Sequence, residues 1–286
     1  MLLNDALCEF LEAKEAANRA ESTLEKYERA VGKIEDVTGN VALGEISAHD
    51  MRDVMLKMRR DGLAASTLLT YYIAIKTFWG WCCREYHIWN NPMENVERPS
   101  VPRRLPEYLS PDEVQRLFIA ADQTRNARKN RAILTVMLDT GIRRGEACRL
   151  LIEDVDLVHR QMAVFGKDRE ERLVPFGEKT VLALVDYWSG RTDDIPTAFH
   201  GLRDPLSPAG LQSIIRRLGQ AAEVSVSPHR LRHTFAHRWI VGGGDLESLR
   251  RILGHSSLSV TQRYAGLSIE HIKAKHAKIN PLKGIH

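Results

Sequence analysis

A cluster of prolines near residue 100 decides how many domains this chain can form. Proline lacks a backbone N–H and clashes with the preceding turn, so no helix can continue through this segment. Its prolines are Pro92, Pro99, Pro102 and Pro106. A chain of 286 residues is long enough for two domains that each bury a core. The sequence therefore predicts a first domain at 1–90, a linker at 91–107 and a second domain at 108–286.

Helical periodicity runs through the whole first domain. Apolar residues recur every three to four positions in four segments, which predicts four helices joined by short connections. Asn4, Ser22 and Ser47 stand where the first three helices would be capped, and Ser22 opens the capping-box pattern S-T-L-E. A fourth helix is predicted from about Ser66, with the aromatic residues of 71–81 in the core. The first domain is thus expected to be a small helical bundle.

The second domain mixes helical segments with one short region of alternating pattern. Ser110 followed by Pro111 predicts a capped helix, and Gly141 follows the end of another helical segment. Residues 162–165 and 172–175 alternate as strands do, on either side of a turn at Gly166-Lys167-Asp168. From Pro208 onward the pattern returns to helices. The predicted fold class is mainly α with a small antiparallel sheet.

Composition limits the classes of protein that fit. Hydrophobic residues make up 43% and charged residues 27%, which is typical of a soluble globular protein. The longest uncharged run, 62–75, is shorter than the ~20 residues that a membrane span requires. The N-terminus lacks the basic segment of a secretory signal, and the four cysteines show no paired CxxC spacing. A cytoplasmic protein without membrane contact is expected.

Charge is distributed unevenly between the two predicted domains. Residues 1–100 carry a net charge of −4, whereas the rest of the chain carries +8. A basic second domain favours a polyanionic partner such as nucleic acid, although an ordinary solvated surface gives the same count. Arg98, Arg103 and Arg104 make the linker basic, which suits a segment that crosses a phosphate backbone.

Several common sites are not supported by the sequence. It contains no GxxxxGK[ST], GxGxxG or GxSxG pattern, so neither a nucleotide cradle nor a hydrolase elbow is predicted. His229, His233 and His237 are spaced to share one helix face, but Arg230 stands where a zinc protease carries its glutamate. We therefore expect no metal and no cofactor.

Two arginine-containing segments indicate an anion site. Pro228 can begin a helix that carries His229 and Arg232 near its N-terminus, where free backbone amides favour a phosphate. In the segment T-G-I-R-R-G-E, Glu146 could anchor one of the two arginines by a hydrogen bond and leave its guanidinium aimed outward. A guanidinium matches two phosphate oxygens and keeps its charge. Taken singly, each segment also fits an ordinary surface pair.

In combination, five ordered segments resemble the tyrosine recombinase, or phage integrase, family. They are residues 140–146, residues 166–175 with Lys167, residues 228–233, residues 253–256 and residues 261–264. The spacing agrees as well, because Lys167 lies 24 residues after Arg143 and Tyr264 lies nine after His255. The resemblance covers essentially the whole chain, including a SAM-like core-binding domain, and is greatest to compact Xer-like members.

The resemblance implies a covalent reaction on DNA. Tyr264 would attack a phosphodiester, form a 3′-phosphotyrosyl bond and release a 5′-hydroxyl. His229 would assist proton transfer from the tyrosine, and Lys167 would protonate the departing 5′-oxygen. Strands would then be rejoined through a Holliday junction without metal or ATP.

The resemblance also implies how the scissile phosphate is bound. Arg143 and Arg232 would hold its non-bridging oxygens, where charge accumulates in the transition state, and His255 would donate a hydrogen bond to it. Glu146 would support the site by holding Arg143 or His229. A cluster of cations would also favour the phenolate of Tyr264, whose ordinary pKa is near ~10.

Partners follow from the same resemblance. Double-stranded DNA with paired half-sites is expected, bound in part by Arg59 and Arg60 of the first domain, and four copies would assemble on it through a basic C-terminal helix at 268–278 docking in trans. An accessory protein and a nucleoid location are further expectations. Three alternatives remain at this point: relaxation of DNA by a type IB topoisomerase-like activity, a non-catalytic DNA-binding factor on the same fold, and a metal-dependent nuclease.

Overall fold

The computed structural model describes residues 1–102, 107–166, 171–202, 204–255, 257 and 261. The chain divides into two compact units, Met1–Arg104 and Leu105–His286, and this boundary falls inside the predicted linker. Four residues with predicted roles, together with the predicted C-terminal helix at 268–278, lie outside the described residues. The four are Arg103, Arg104, Lys167 and Tyr264. Within the described ranges, no helix is both long and apolar enough to cross a membrane.

The first unit is built from four helices. They are α1 (Leu3–Ala16), α2 (Glu21–Thr38), α3 (Ala48–Arg60) and α4 (Ala65–Glu85), with a 3₁₀ turn at Leu43–Glu45 between α2 and α3. Helices α2 and α4 each pack on the other three helices of this unit. The four predicted helices are therefore confirmed.

A capping box was predicted at the start of α2, and a serine cap at the start of α3, and the structure has a side-chain cap only at α3. Ser47 accepts a hydrogen bond from the Asp50 amide and Asp50 accepts one from the Ser47 amide, which completes a capping box at the start of α3. The capping box predicted at Ser22 is wrong. The extended residue before α2 is Ala20, so Ser22 already lies within the first turn, past the position from which a hydroxyl can cap. Asn4 likewise lies inside α1 rather than before it.

Aromatic packing forms the centre of the first unit. The ring of Phe10 is fully buried and meets the rings of Tyr27, Phe78 and Trp81 edge-on, at centroid distances of 4.9 to 5.4 Å. Trp79 is also fully buried. Edge-to-face aromatic pairs add stability beyond their burial alone. The prediction that the aromatic residues of α4 belong to the core is confirmed for these side chains.

The second unit contains seven helices and three strands within its described residues. They are α5 (Pro111–Asp122), α6 (Ala127–Thr140), α7 (Arg144–Arg149), β1 (Val155–Asp156), β2 (Gln161–Phe165), β3 (Glu171–Pro175), α8 (Glu178–Ser189), α9 (Pro208–Ala221), α10 (Pro228–Val241) and α11 (Leu246–Leu253). Helix α6 packs against α5, α8 and α10 and is buried along most of its length. This arrangement confirms the predicted class, mainly α with a small antiparallel sheet.

The sheet has the antiparallel order β1-β2-β3. Met162 pairs with Val155 on one side and with Val174 on the other, and these three side chains face the core. Strands β2 and β3 confirm the two predicted strands. Strand β1 was not predicted, because two residues are too few for an alternating pattern.

Gly141 ends α6 two residues before Arg143, one of the predicted site residues. Its φ of +61° is left-handed, and a Cβ there would lie 2.3 Å from the ring of Phe235. Only glycine meets both conditions. The chain consequently leaves α6 in a tight turn that carries Arg143 to the start of α7.

Candidate active site

Arg143 is held in place at the N-terminus of α7. Its backbone amide donates to Glu146 Oε2 at 2.7 Å and its Nη1 donates to Glu146 Oε1 at 2.8 Å. Its Nη2 donates to the carbonyl of Gly254, at the end of α11, at 2.7 Å. The side chain remains 45% exposed. The guanidinium is thus anchored by a carboxylate and a carbonyl and still reaches solvent.

Glu146 is a buried carboxylate shared by two arginines. Its side chain is 3% exposed, and besides Arg143 it accepts two hydrogen bonds from Arg172, at 3.1 and 2.8 Å. Burial by itself would raise the pKa of Glu146, but the hydrogen bonds from Arg172 and from the Arg143 amide outweigh it and lower the pKa to about 2. Glu146 is therefore an anion at every physiological pH.

Arg172 lies on β3 and reaches both Glu146 and α11. Besides the two hydrogen bonds to Glu146, its Nε donates to the carbonyl of Ile252 at 2.8 Å. Its side chain is 14% exposed. The sequence interpretation assigned no role to Arg172, although it lies in one of the segments that carried the family resemblance. Its partners are 26 and 80 residues away, and no local pattern indicates contacts at such separations.

Arg232 and His255 meet on the other side of the end of α11. Arg232, from α10, is 4% exposed and donates to the carbonyls of Gly141 at 2.6 Å and Leu253 at 2.7 Å. Its Nη2 also lies 2.9 Å from His255 Nε2. Arginine has no acceptor, so in this contact Nε2 accepts, and Nδ1 carries the proton that is donated to Thr261 at 2.9 Å.

The three histidines of α10 do not form a metal site. The rings of His229 and His233 meet edge-on at 4.0 Å, and His237 stacks on Tyr108 at 3.5 Å. Burial, with a smaller contribution from Arg238, lowers the pKa of His237. Across the described ranges, no three His, Cys, Asp or Glu side chains are arranged to hold a metal ion.

The structure brings four of the predicted site residues together around the end of α11. Arg143 and Arg232 contact consecutive carbonyls there, His255 follows in the chain, and Glu146 holds Arg143 as the sequence interpretation allowed. His229 lies on the same helix as Arg232 and is exposed. Of the predicted DNA contacts, Arg59 and Arg60 end α3 and Arg98 follows α4 in the first unit, all exposed.

The charges at this place favour an anion. Arg143 and Arg172 pair with the carboxylate of Glu146, and Arg232 adds a third guanidinium at the end of α11. These four side chains together carry a net positive charge of two. Guanidinium groups in a fixed orientation bind phosphate oxygens in pairs and stabilise charge that develops on them. The arrangement is therefore suited to hold a phosphate without a metal ion.

Comparison with known proteins agrees with this chemistry. The profile of the Phage integrase family matches residues 107–271, and that of the phage integrase N-terminal SAM-like domain matches residues 7–86. Tyrosine recombinase XerC of Bacillus subtilis strain 168 is 32% identical over 279 residues, which cover 92% of each chain. Tyrosine recombinase XerC of Listeria innocua is 29% identical over 280 residues, covering 92% of this chain and 93% of that protein.

A solved structure adds agreement in fold. The integrase of the Tn1549 transposon, in complex with transposon right-end DNA, matches with a TM-score of 0.82 at 18% identity, covering 98% of this chain and 100% of that one. The chain belongs to the phage integrase family and is an Xer-like, tyrosine-type site-specific recombinase.

Proposed function

We propose that this chain cuts and rejoins DNA at specific sites through a covalent 3′-phosphotyrosyl intermediate on Tyr264, and exchanges strands through a Holliday junction. The observation that carries the proposal is the anchored pair of guanidiniums, Arg143 and Arg232, which donate to adjacent carbonyls at the end of α11. A phosphodiester placed against this pair would have its non-bridging oxygens held from two directions. Family membership supplies the reaction type.

The arginine pair stabilises the transition state. Attack on phosphorus places additional negative charge on the non-bridging oxygens, and donors already in position need no reorganisation as that charge appears. Arg143 has used one hydrogen bond from each terminal nitrogen and keeps further N–H groups for a ligand. Loss of one such donor typically lowers the rate ~10²–10³-fold.

Proton transfer accompanies both the attack on phosphorus and the departure of the 5′-oxygen. Tyr264 loses its proton as it attacks, with His229 assisting, and the departing 5′-oxygen gains a proton from Lys167. His255 would act on Arg232 rather than donate to the phosphate as predicted, because its Nε2 accepts from Arg232 and its one N–H, at Nδ1, is donated to Thr261. General acid catalysis of this kind is usually worth ~10²–10⁴-fold. The covalent bond conserves the phosphodiester energy, so rejoining requires neither ATP nor a cofactor.

Assembly on DNA completes the proposal. The partner is double-stranded DNA with paired half-sites, which agrees with the DNA-bound state of the transposon integrase of like fold. The first domain, 1–90, clamps the duplex with exposed Arg59 and Arg60, while the linker 91–107 crosses it with Arg98, Arg103 and Arg104. Four copies form the active complex in the cytoplasm, on the nucleoid, linked by the C-terminal helix at 268–278, and an accessory protein sets the direction of exchange.

The deciding experiment traps the covalent intermediate. The wild-type chain is incubated in EDTA with a nicked duplex carrying a binding site that the protein selects from a randomised DNA pool. We expect a protein–DNA adduct that survives denaturation and is absent with Tyr264→Phe, because phenylalanine lacks the attacking oxygen. An adduct that persists in Tyr264→Phe would overturn the proposal, and so would cleavage that chelation abolishes.

The products separate recombination from the two remaining alternatives. Strands joined from two different duplexes require synapsis, which a relaxing enzyme does not perform. Relaxation of supercoiled DNA without such joints would indicate topoisomerase-like activity, and binding without any adduct would indicate a non-catalytic factor.

A further inference from the structure

We infer that Arg172 is a positioning residue for the reaction: it fixes the end of α11 to Glu146 and thereby sets the direction in which Arg143 points. The inference rests on the proposed function and extends it to a residue outside the arginine pair. Arg172 touches neither the DNA nor the reacting atoms in this proposal, and acts through the groups it holds.

The contacts of Arg172 join three separate elements. From β3, its Nη1 and Nη2 donate to both oxygens of Glu146 on α7, and its Nε donates to Ile252 on α11. Glu146 in turn holds Arg143 by its side chain and its amide. Removing Arg172 would therefore break the hydrogen-bonded link from Glu146 on α7 through Arg172 to Ile252 on α11.

The close approach of α11 to Arg172 shows how tightly this joint is packed. A Cβ at Gly254 would lie 2.9 Å from Arg172 Nη1 and 3.0 Å from its Cζ. Gly254 has a left-handed φ of +63°, and its carbonyl accepts from Arg143. The backbone at the end of α11 thus contacts two guanidiniums. It orients that of Arg143 through the carbonyl of Gly254, and it is supported by that of Arg172 through the carbonyl of Ile252.

The geometry requires arginine rather than a cation in general. Three N–H groups of one plane are used at once, two toward a carboxylate and one toward a carbonyl. Lysine has the charge but lacks the planar fork, so it cannot make this set of contacts together. Arg172 is also the second residue of β3, the strand that follows the segment with Lys167 in the sequence. Its side chain therefore connects that strand, through Glu146 and Ile252, to the groups that hold Arg143.

A change in pH dependence distinguishes positioning from mere packing. Among the described residues, the charged groups that lower the pKa of Glu146 are Arg172 on β3 and Arg143 at the start of α7. With Arg172 gone, burial would favour the protonated carboxyl, so the pKa of Glu146 would rise. Arg143 would then lose its anchor as the pH falls.

The test compares Arg172→Leu, Arg172→Lys and the double variant Arg172→Leu/Glu146→Gln with wild type. The nicked duplex selected by the wild-type chain is used at saturating concentration, and the rate of adduct formation and the dissociation constant for DNA are measured from pH 5 to 8. We expect Arg172→Leu to lower the saturated rate about 10²-fold, as misplacement of a catalytic group does, with little change in the dissociation constant. Arg172→Lys should recover part of the rate.

The dependence of the adduct-formation rate on pH decides whether Arg172 positions Arg143. The deficit of Arg172→Leu relative to wild type should grow as the pH falls, while that of the double variant should stay constant, because glutamine does not titrate. A deficit that is uniform across pH in Arg172→Leu, or a normal rate, overturns the inference. If Arg172→Leu fails to fold by circular dichroism, the same profile with the same criterion is measured on Arg172→Gln, which removes the charge and keeps a polar side chain of similar length.

Two controls keep this inference separate from the proposed function. Arg131→Leu removes an exposed arginine that pairs in the same two-pronged way with Asp122, and its rate should stay within about twofold of wild type. If wild type forms the adduct, Tyr264→Phe does not, and Arg172→Leu behaves as wild type, only the inference fails. If wild type forms no adduct, the proposed function fails first.

Discussion

The two units of the chain bury different kinds of side chain. Among the described residues of the first unit, the buried side chains are apolar, aromatic or cysteine, whereas the second unit also buries Glu146, Arg232 and His255. The ion pair of Arg29 with Glu25 in the first unit is 64% and 51% exposed, while Glu146 is 3% exposed. Burying a charge is costly unless it is paired and hydrogen-bonded. The second unit thus buries charge only with hydrogen-bonded partners, as Glu146 has in Arg143 and Arg172, and it does so where an anion can be held.

The largest effect is expected in the aromatic core of the first unit. Phe10→Ala should lower the free energy of unfolding by about 3–5 kcal/mol, because it leaves a cavity among three ring partners. Urea unfolding followed by circular dichroism measures the change. Ile73→Ala, at a position 50% exposed on α4, is the matched control and should cost less than about 1 kcal/mol. Similar losses for the two variants would contradict an apolar, closely packed first unit.

The same substitution in each unit should give very different results. The pKa of Glu146 falls from 4.5 to about 2 on folding, so its stabilisation is complete above about pH 4.5 and is lost as the pH falls toward 2. Glu146→Gln should therefore cost on the order of 3 kcal/mol at pH 7, and its deficit relative to wild type should narrow at pH 3. Urea unfolding at the two pH values measures both.

Glu25→Gln provides the comparison from the first unit. Its partner Arg29 is one turn away on the exposed face of α2, so a loss of about 0.3–0.5 kcal/mol is expected at pH 7. A Glu146→Gln variant as stable as Glu25→Gln would show that the buried carboxylate contributes no more than an exposed one.

The smallest difference between matched variants is expected for two serines that the sequence does not distinguish. Ser47→Ala should lower stability by about 1 kcal/mol, because the Asp50 amide loses its acceptor. Ser22→Ala should leave stability unchanged or raise it slightly, because Ser22 lies inside α2 and alanine has the higher helix propensity. Thermal unfolding of the two variants in parallel makes the measurement, and equal losses would contradict the assigned start of α2.

Local signals in the sequence predicted the elements whose ends are fixed by neighbouring residues. Ser47, Ser110 and Gly141 mark helix ends through contacts three or four positions away, and the structure has those ends. The start of α2 was misplaced because a capping pattern also occurs inside helices, where the packing of the whole segment decides the boundary. Strand β1 escaped prediction because only its pairing with β2 defines it.

The candidate site was partly predictable for a similar reason. Arg143 and Glu146 are three residues apart, so their contact could be expected from helix geometry. The contacts of Arg232 with Gly141, Leu253 and His255 join segments that only the folded chain brings together. The ordered family segments indicated that these residues belong to one site, whereas the local pattern did not. The strand pattern gave Arg172 no role, since an arginine in a strand usually faces solvent, and its place in a family segment did not indicate its partners.

The anchoring of Arg143 has a consequence for how the chain meets a ligand. A free arginine side chain carries about 2 kcal/mol of rotamer entropy, which a flexible surface residue loses only when it grips something. Here the guanidinium is already immobilised by Glu146 and Gly254 when folding is complete. An arriving anion therefore meets a side chain whose freedom was given up beforehand, and more of the contact free energy remains available for attraction.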